Sequence, residues 1–548
     1  MTNGGVNGAG RARLTLYFYS RTCYSINFRY FVSSEKIYIL SPEPNLVYSL
    51  AHYHKGDGEM LLNHLINVKR WVIRSIAGAY LRSREMPGGS YVQDSDFRQS
   101  VKRLPFVHIP PGSPAKYRCC VYKERAIVRL RVLAGLGFSV EADDEMTSLL
   151  EYADRALKRN QIEGPALTII DIACKGCVNA RYYVTELCQG CLARPCESVC
   201  PFGAIHVVDG HSTIDKTKCR NCGRCKEVCP YHAIAKIAVP CEESCPTNAI
   251  QKDENGVASV DHAKCISCGC CVAACPFGAV LERSQIVDIV RALDSRKQIY
   301  ALVAPAIAGQ FEASFGQLVT AIRELGFSDV VEVALGADKT AVNEAEELRE
   351  RMEQNRPFMT TSCCPAYIQA ARRHMPELTP HISDTPTPMH FTAEMMKTKN
   401  PRNVNVFIGP CVAKRKEAME DSCVDYVMTF EELAALFEAA GIDPSKCEAA
   451  ELKKNASAQG RGFAISGGVA AAVKCALGEE TEVRTTCING LSRAAMAQLK
   501  AYAKNGAPFD LIEVMTCPGG CISGAGVAMR DKKAKEGVEK FVKESAPL

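Results

Sequence analysis

Leu511-Ile512-Glu513-Val514-Met515-Thr516-Cys517-Pro518-Gly519-Gly520-Cys521 is the stretch on which the reading of this chain turns. An apolar, strand-like run, Leu511 to Met515, ends at one thiol and turns through glycines, which let backbone pass close to a bulky inorganic group. A second thiol, Cys521, follows, and thiols placed in that way suit a metal site and not a core. Two other stretches share the build: Phe358-Met359-Thr360-Thr361-Ser362-Cys363-Cys364-Pro365 and Val404-Asn405-Val406-Phe407-Ile408-Gly409-Pro410-Cys411. Each is a strand that ends in cysteine.

The 548 residues allow about three or four domains at roughly 150 residues each. A formal charge of +5 with no run of like charge argues against a nucleic-acid partner. The 29 cysteines far exceed what packing requires. A disulfide framework belongs to small domains carrying a secretion signal, and neither feature is present. Arg13, Arg21, Arg29, Glu35 and Lys36 break the apolar patches of residues 12–40. No stretch approaches the ~18 apolar residues of a membrane span. The expectation is a cytoplasmic protein, off the membrane, whose thiols bind metal.

Residues 1–59 carry no motif and are read as a poorly ordered extension. From Met60, the residues Leu61, Leu65, Val68, Val72 and Ile76 fall at helical spacing, beside Trp71. Residues 84–117, rich in Pro, Gly, Ser and charge, read as a linker. Cys119 and Cys120 then precede a run, Ala126 to Leu133, that looks like a strand, and are read as structural thiols.

Seventeen cysteines lie between Cys174 and Cys275. Cys219, Cys222, Cys225 and Cys229 follow C-x-x-C-x-x-C-x-x-x-C-P, as do Cys265, Cys268, Cys271 and Cys275. Three such thiolates grip one face of a [4Fe–4S] cube, while the fourth, before proline, ligates the neighbouring cube. Cys188, Cys191, Cys196 and Cys200 are a widened version. Cys174 and Cys177, with Cys241 and Cys245, make a split one. Exchange of the fourth cysteines groups Cys188, Cys191, Cys196 with Cys229, and Cys219, Cys222, Cys225 with Cys200. It also groups Cys265, Cys268, Cys271 with Cys245, and Cys174, Cys177, Cys241 with Cys275. Three to four accessory cubes result, the last inferred by arithmetic, and Cys270 is left as a bystander. Zinc also takes C-x-x-C pairs, but the repeated Pro-x-x-Ala-Ile or Pro-x-x-Ala-Val after the fourth cysteine is a ferredoxin feature. His206, His211, His232 and His262 are read as surface or packing residues.

From about Gln298, strands alternate with helical patterns: Ile299 to Val303, Val330 to Ala334, Val404 to Ile408, Asp425 to Met428, Phe463 to Ile465 and Leu511 to Met515. That alternation predicts a mostly parallel α/β sheet, with ligands beyond the carboxyl ends of the strands. Cys364, Cys411, Cys517 and Cys521 fall there, and four thiolates from three loops would hold one more cube.

Thr361-Ser362-Cys363-Cys364-Pro365, Pro410-Cys411-Val412-Ala413-Lys414 and Glu513-Val514-Met515-Thr516-Cys517-x-x-Gly520-Cys521 resemble the three signature loops of the [FeFe]-hydrogenases. Ala304-Pro305-Ala306 and the turn Ser466-Gly467-Gly468-Val469 also fit, and Cys119-Cys120 with Thr516-Cys517-Pro518-Gly519-Gly520-Cys521 resemble the group B branch. The likeness spans roughly residues 60–548. It implies an α+β ferredoxin-like cluster domain, at 166–290, followed by a two-lobed α/β [FeFe]-hydrogenase catalytic domain, at 296–548. A helical or mixed region, 60–165, would precede them.

The resemblance implies an H-cluster, a [4Fe–4S] cube sharing a thiolate with a two-iron unit that bears CO, cyanide and a dithiolate amine. By position, Cys364, Cys411 and Cys517 would bind the cube and Cys521 would bridge. Cys363 would exchange protons with the amine, Lys414 would hydrogen-bond a cyanide, and Met515 would pack against the two-iron unit. Ala304, Pro305, Ser362, Pro410 and Gly467 would line the cofactor. Glu344 and Glu347, at i, i+3 on one helix face, would relay protons with Ser383. Gly409, Tyr367 and Met389 depart from common family residues and bear on tuning. The implied activity is 2H⁺ + 2e⁻ ⇌ H₂, with ferredoxin or a similar carrier and maturation proteins as partners. The rival readings are a sensory hydrogenase and a non-catalytic electron-transfer or iron–sulfur assembly protein of the same superfamily.

Overall fold

The computed structural model describes residues 29–33, 36–40, 64–84, 93–174, 181–253, 256–478, 481–530 and 532–548. Residues 1–64 and 65–548 form separate compact units. In the first, Arg29–Ser33 and Lys36–Leu40 pair as an antiparallel hairpin. This is the described part of the stretch expected to be poorly ordered; Met60, Leu61 and Cys177 lie outside the described residues.

The second unit opens with four helices. His64–Arg84 buries Val68, Val72 and Ile76, the face its spacing predicted. Gln93–His108 replaces the middle of the expected linker: Phe97, Val101 and Leu104 are buried at i, i+4 and i+7, and that apolar stripe outweighs the local Pro and charge. The run Ala126 to Leu133 lies within a helix, Val121–Gly135, and not a strand. Its apolar residues are β-branched in part, yet Ile127, Val128, Val132 and Leu133 share one buried face, and tertiary burial overrides strand propensity.

The cysteine-rich region is built from short antiparallel pairs. Arg181–Val184 pairs with Ile234–Ile237, Ile205–Val208 with His211–Ile214, Ile250–Lys252 with Ala258–Val260, and Leu167–Ile169 with Val280–Glu282. One local device recurs after every Cys-Pro. The amide of Ala204, Ala233, Ala249 and Ala279 donates to the sulfur of Cys200, Cys229, Cys245 and Cys275 respectively, at 3.2–3.4 Å. The residue before each alanine has left-handed backbone: Gly203, His232, Asn248 and Gly278 have φ of 50–55°. The repeat seen in the sequence is therefore a repeated turn that aims an N–H at sulfur.

From Ile299 onward there are two parallel sheets. The first has the order Asp329–Glu332, Ile299–Val303, Val404–Gly409, Tyr426–Thr429, and the second Met359–Thr360, Leu511–Met515, Thr485–Asn489. Val404–Gly409 and Leu511–Met515 are buried throughout, as befits strands covered on both faces. Phe463 to Ile465 is a turn between the helices Ala458–Gly462 and Gly468–Leu477 and not a strand. Phe463 and Ala464 are buried there, Phe463 against Ala337 and Val469, while the strand Thr485–Asn489 was not anticipated. Among the described residues, no helix is long and apolar enough to cross a membrane.

Candidate active site and cluster sites

The carboxyl ends of Met359–Thr360, Val404–Gly409 and Leu511–Met515 deliver their loops to one apolar cavity of about 100 Å³. Its wall includes Cys363, Cys364, Cys411, Cys517 and Cys521, together with Lys414, Met515, Ala304, Pro305 and Pro410. Gly520 lets the last loop close over it. With φ at +96°, a Cβ there would stand 2.6 Å from the amide nitrogen of Ser466 and 2.7 Å from the carbonyl of Ala464. Ser362 and Gly467 are not part of this wall: Ser362 donates to Glu344, and the amide of Gly467 donates to Glu513 Oε1 at 2.7 Å.

Burial disfavours the anionic form of Cys411, Cys517 and Cys521. Burial, then the charge of Cys364, pushes Cys411 up to about 11, with Lys414 opposing the rise. Burial, then Cys411 and Cys364, pushes Cys521 up to about 12. A bound cation reverses that logic, because a coordinated thiol is deprotonated outright. Four sulfur donors from three loops, crowded in an apolar pocket, therefore fit an iron–sulfur group well. Cys363, buried beside them, is also held well above the ordinary thiol range, first by burial and next by Glu344.

Glu344 is fully buried, and Ser362 donates to its Oε1 from both N, at 2.8 Å, and Oγ, at 3.1 Å. Its Oε2 has no hydrogen-bond partner among the described residues. Burial pushes this carboxyl up to about 7, Glu347 and Glu513 adding to the rise while Ser362 opposes it. Glu347 goes the other way. Burial raises it, but Ser383 Oγ at 2.5 Å, the Asp384 amide, Arg351 and Thr385 outweigh that and hold it below the usual range. The single proton of Ser362 Oγ is shared between Glu344 and the nearer Thr385 carbonyl, at 2.6 Å, so Thr385 links the two carboxylate neighbourhoods. Arg351 binds Glu347 at 2.6 Å and reaches toward Asp384, whose side chain is exposed.

Lys414 is buried, and burial disfavours its charge, but Glu417 outweighs this and keeps it protonated. Its Nζ donates to Glu417 Oε1 at 2.9 Å and to Thr387 Oγ1 at 3.4 Å. Gly409 has its side-chain space filled by the ring of Phe407, 2.5 Å from an added Cβ. Met389 lines the cavity, and buried Tyr367 donates to Thr360 Oγ1 at 2.7 Å.

Two of the four accessory groups each line a shared cavity. Cys188, Cys191, Cys196 and Cys229 surround one small cavity; Cys200, Cys219, Cys222 and Cys225 surround another. Cys265, Cys271 and Cys245 stand within electrostatic reach of one another, and Cys271 also feels Cys241. Cys268 reaches the wall of the large cavity. Cys174 accepts from the Ala258 amide at 3.3 Å, and Cys275 is buried. Cys270, read as a bystander, is close enough to bear on both Cys268 and Cys517. Several residues escaped the sequence reading. Arg351 and Glu417 are i+4 and i+3 from partners already singled out, so helical spacing held the signal. Thr385, Phe407 and the cavity role of Cys268 depend on the tertiary fold.

Residues 297–525 match the family "Iron only hydrogenase large subunit, C-terminal domain". Residues 188–239 and 235–286 each match the "LdpA Fe-S cluster-binding domain". Iron hydrogenase 1 of Clostridium pasteurianum is 31% identical over 407 residues, 63% of this chain and 70% of that protein. The periplasmic [Fe] hydrogenase large subunit of Nitratidesulfovibrio vulgaris is 28% identical over 374 residues, 57% of this chain and 85% of the other. A shorter likeness, 32% over 99 residues, is to the cytosolic Fe–S cluster assembly factor NAR1 of Kluyveromyces lactis, covering 18% of this chain and 21% of that factor.

Proposed function

The chain belongs to the iron-only hydrogenase large-subunit family, and from that premise we propose that it catalyses 2H⁺ + 2e⁻ ⇌ H₂, exchanging electrons with ferredoxin or a similar cytoplasmic carrier. The observation that carries this reading is that Cys363 and Lys414 line the same cavity as the four thiols Cys364, Cys411, Cys517 and Cys521. A protein that merely held or passed on an iron–sulfur cube would need neither a spare acid thiol nor a buried ammonium there. That weighs against the assembly-factor reading, whose likeness covers only a short segment.

An H-cluster bound there would supply the two-electron chemistry that no side chain offers. Cys364, Cys411 and Cys517 would hold its cube, with Cys521 shared between cube and two-iron unit. Cys363 would give and take the proton at its Sγ, next to the metal. Glu344, with a pKa near neutrality, is matched to receive that proton, since a relay works best when its pKa lies near the working pH. From there the path would run past Ser362 and Thr385 to Ser383 and Glu347, and out beside Arg351. Lys414, a compact charge held by Glu417, would orient an anionic ligand of the two-iron unit. The apolar wall, with Met515, Met389 and Phe407, would exclude water. The accessory thiols would hold three or four cubes, which would supply electron transfer, and the loop of Cys268 reaches the cavity wall.

The test is anaerobic reconstitution with iron and sulfide, then with a synthetic two-iron cofactor. Infrared bands of CO and cyanide, lost in Cys521→Ala while the accessory cubes remain, are the expected result. Their absence from the wild-type protein would sink the hydrogenase reading.

A further inference from the structure

Outside the residues that line the cluster cavities, one imidazole, one carboxylate and one thiol meet between two elements that also shape the large cavity. We propose that His390, Asp421 and Cys423 form a mononuclear zinc site tying the helix Pro388–Lys399 to the loop after the helix Lys414–Glu420. His390 Nδ1 lies 3.0 Å from Asp421 Oδ2. One ligand atom from each of the three residues lies within 4.8 Å of the other two, and all three side chains are half-buried. A metal there would be shielded on one side and reachable from the other.

The donor set selects the metal. Calcium and magnesium take oxygen ligands, so a thiol and an imidazole speak against both. An iron–sulfur cube needs several cysteines, and only one is present. Zinc accepts nitrogen, sulfur and oxygen together, at about 2.0–2.3 Å and in tetrahedral geometry, with water completing the fourth position. Ligand atoms in such a tetrahedron stand roughly 3.3–3.8 Å apart, so side-chain rotation closes the site without moving backbone. The carboxylate is also oriented in advance: Asp421 Oδ1 accepts from the Cys423 amide at 2.8 Å, leaving Oδ2 toward His390. Such an outer hydrogen bond is a usual companion of a ligating carboxylate.

Position suggests what the ion does. Pro388 and Met389, immediately before His390, line the catalytic cavity, and so do Cys411 and Lys414 at the other element. Thr387 already donates to Glu417 at 2.5 Å across the same seam. Zinc would be a second tie, holding the wall that carries Met389 against the wall that carries Lys414. The plainer alternative is a half-exposed His–Asp hydrogen bond with a neighbouring thiol and no metal.

The experiment uses the full chain loaded with its iron–sulfur clusters, exposed to Zn²⁺, then washed with a chelator. Zinc and iron are measured on the same samples of wild type, His390→Ala and Cys423→Ser, and the wild-type zinc absorption edge gives its ligand shell. We expect one zinc per chain with a single sulfur neighbour among nitrogen and oxygen, lost from both variants while iron is unchanged. No zinc retained by the wild type, equal zinc in the variants, or an all-sulfur shell would each overturn the site. The edge spectrum stands even where a variant folds poorly. Iron content is read separately, so failure here leaves the hydrogenase reading untouched.

Discussion

In the proposed reaction, Glu344 would be the side chain on which proton supply to the cavity turns. Its carboxyl, pushed by burial from an ordinary 4.5 up to about 7, keeps a proton that the unfolded chain would already have released. The folded protein therefore binds more protons than the unfolded one between those values, and stability falls as pH rises through that window. Glu344→Gln should remove this contribution, so that the anaerobic thermal midpoint declines less between pH 5 and 7 than it does in the wild type. In an infrared titration, the band of a protonated carboxyl should fade near pH 7 in the wild type and be missing in the variant. Turnover should drop by about 10²-fold or more, the usual worth of a positioned acid–base group. An unchanged pH profile would remove Glu344 from the route. Thiol-bearing loops and the i, i+3 pair were readable in the sequence because chemistry and spacing are local. Thr385, two residues from Ser383, was not, because its contact with Ser362 crosses 23 positions of chain.

Elements place these groups by close backbone approach. Gly520 sits where an added Cβ meets the backbone of residues 464 to 466, so Gly520→Ala must push the last loop outward. We expect that variant to lose the cube held by Cys517 and Cys521 and to keep the accessory cubes, counted by iron content and paramagnetic resonance. Full iron content would contradict the packing argument. Strands ending in cysteine were legible because an apolar run that stops at Cys-Pro or Thr-Cys has little else to be. Leu511–Met515 matches its expected bounds residue for residue. Short apolar runs without such an ending misled: Phe463 to Ile465 proved a turn, and Ala126 to Leu133 a helix. Three to eight apolar residues fit a strand, a turn or one face of a helix, and only packing decides among them.

Across the molecule, two contacts join the parts that function needs together. Gly269, in the loop of Cys268 and Cys271, lies so close to the catalytic loops that a Cβ would meet Ala525 Cβ at 2.5 Å and Val412 Cγ2 at 3.2 Å. Gly269→Ala should separate that loop from the cavity and slow electron delivery, seen as slower H₂ evolution with all clusters present. Lys69, on the first long helix, reaches Glu282 at 2.5 Å and Glu431 at 2.7 Å. Burial opposes its charge, and the two carboxylates more than restore it. Lys69→Met would leave both carboxylates unpaired, and breaking a buried ion pair costs about 3 kcal/mol or more. A lower anaerobic thermal midpoint at neutral pH should follow, and an unchanged one would show the helix to be dispensable. The central claim, that this cavity makes and splits H₂ with Cys363 as its proton donor, has one most direct measurement. It is H₂ evolution from reduced viologen by protein carrying both cubes and the two-iron cofactor. The account predicts sustained turnover in the wild type and a loss of about 10²-fold or more in Cys363→Ala at equal cofactor content. Cofactor bands without turnover in the wild type, or equal turnover in the variant, would contradict it.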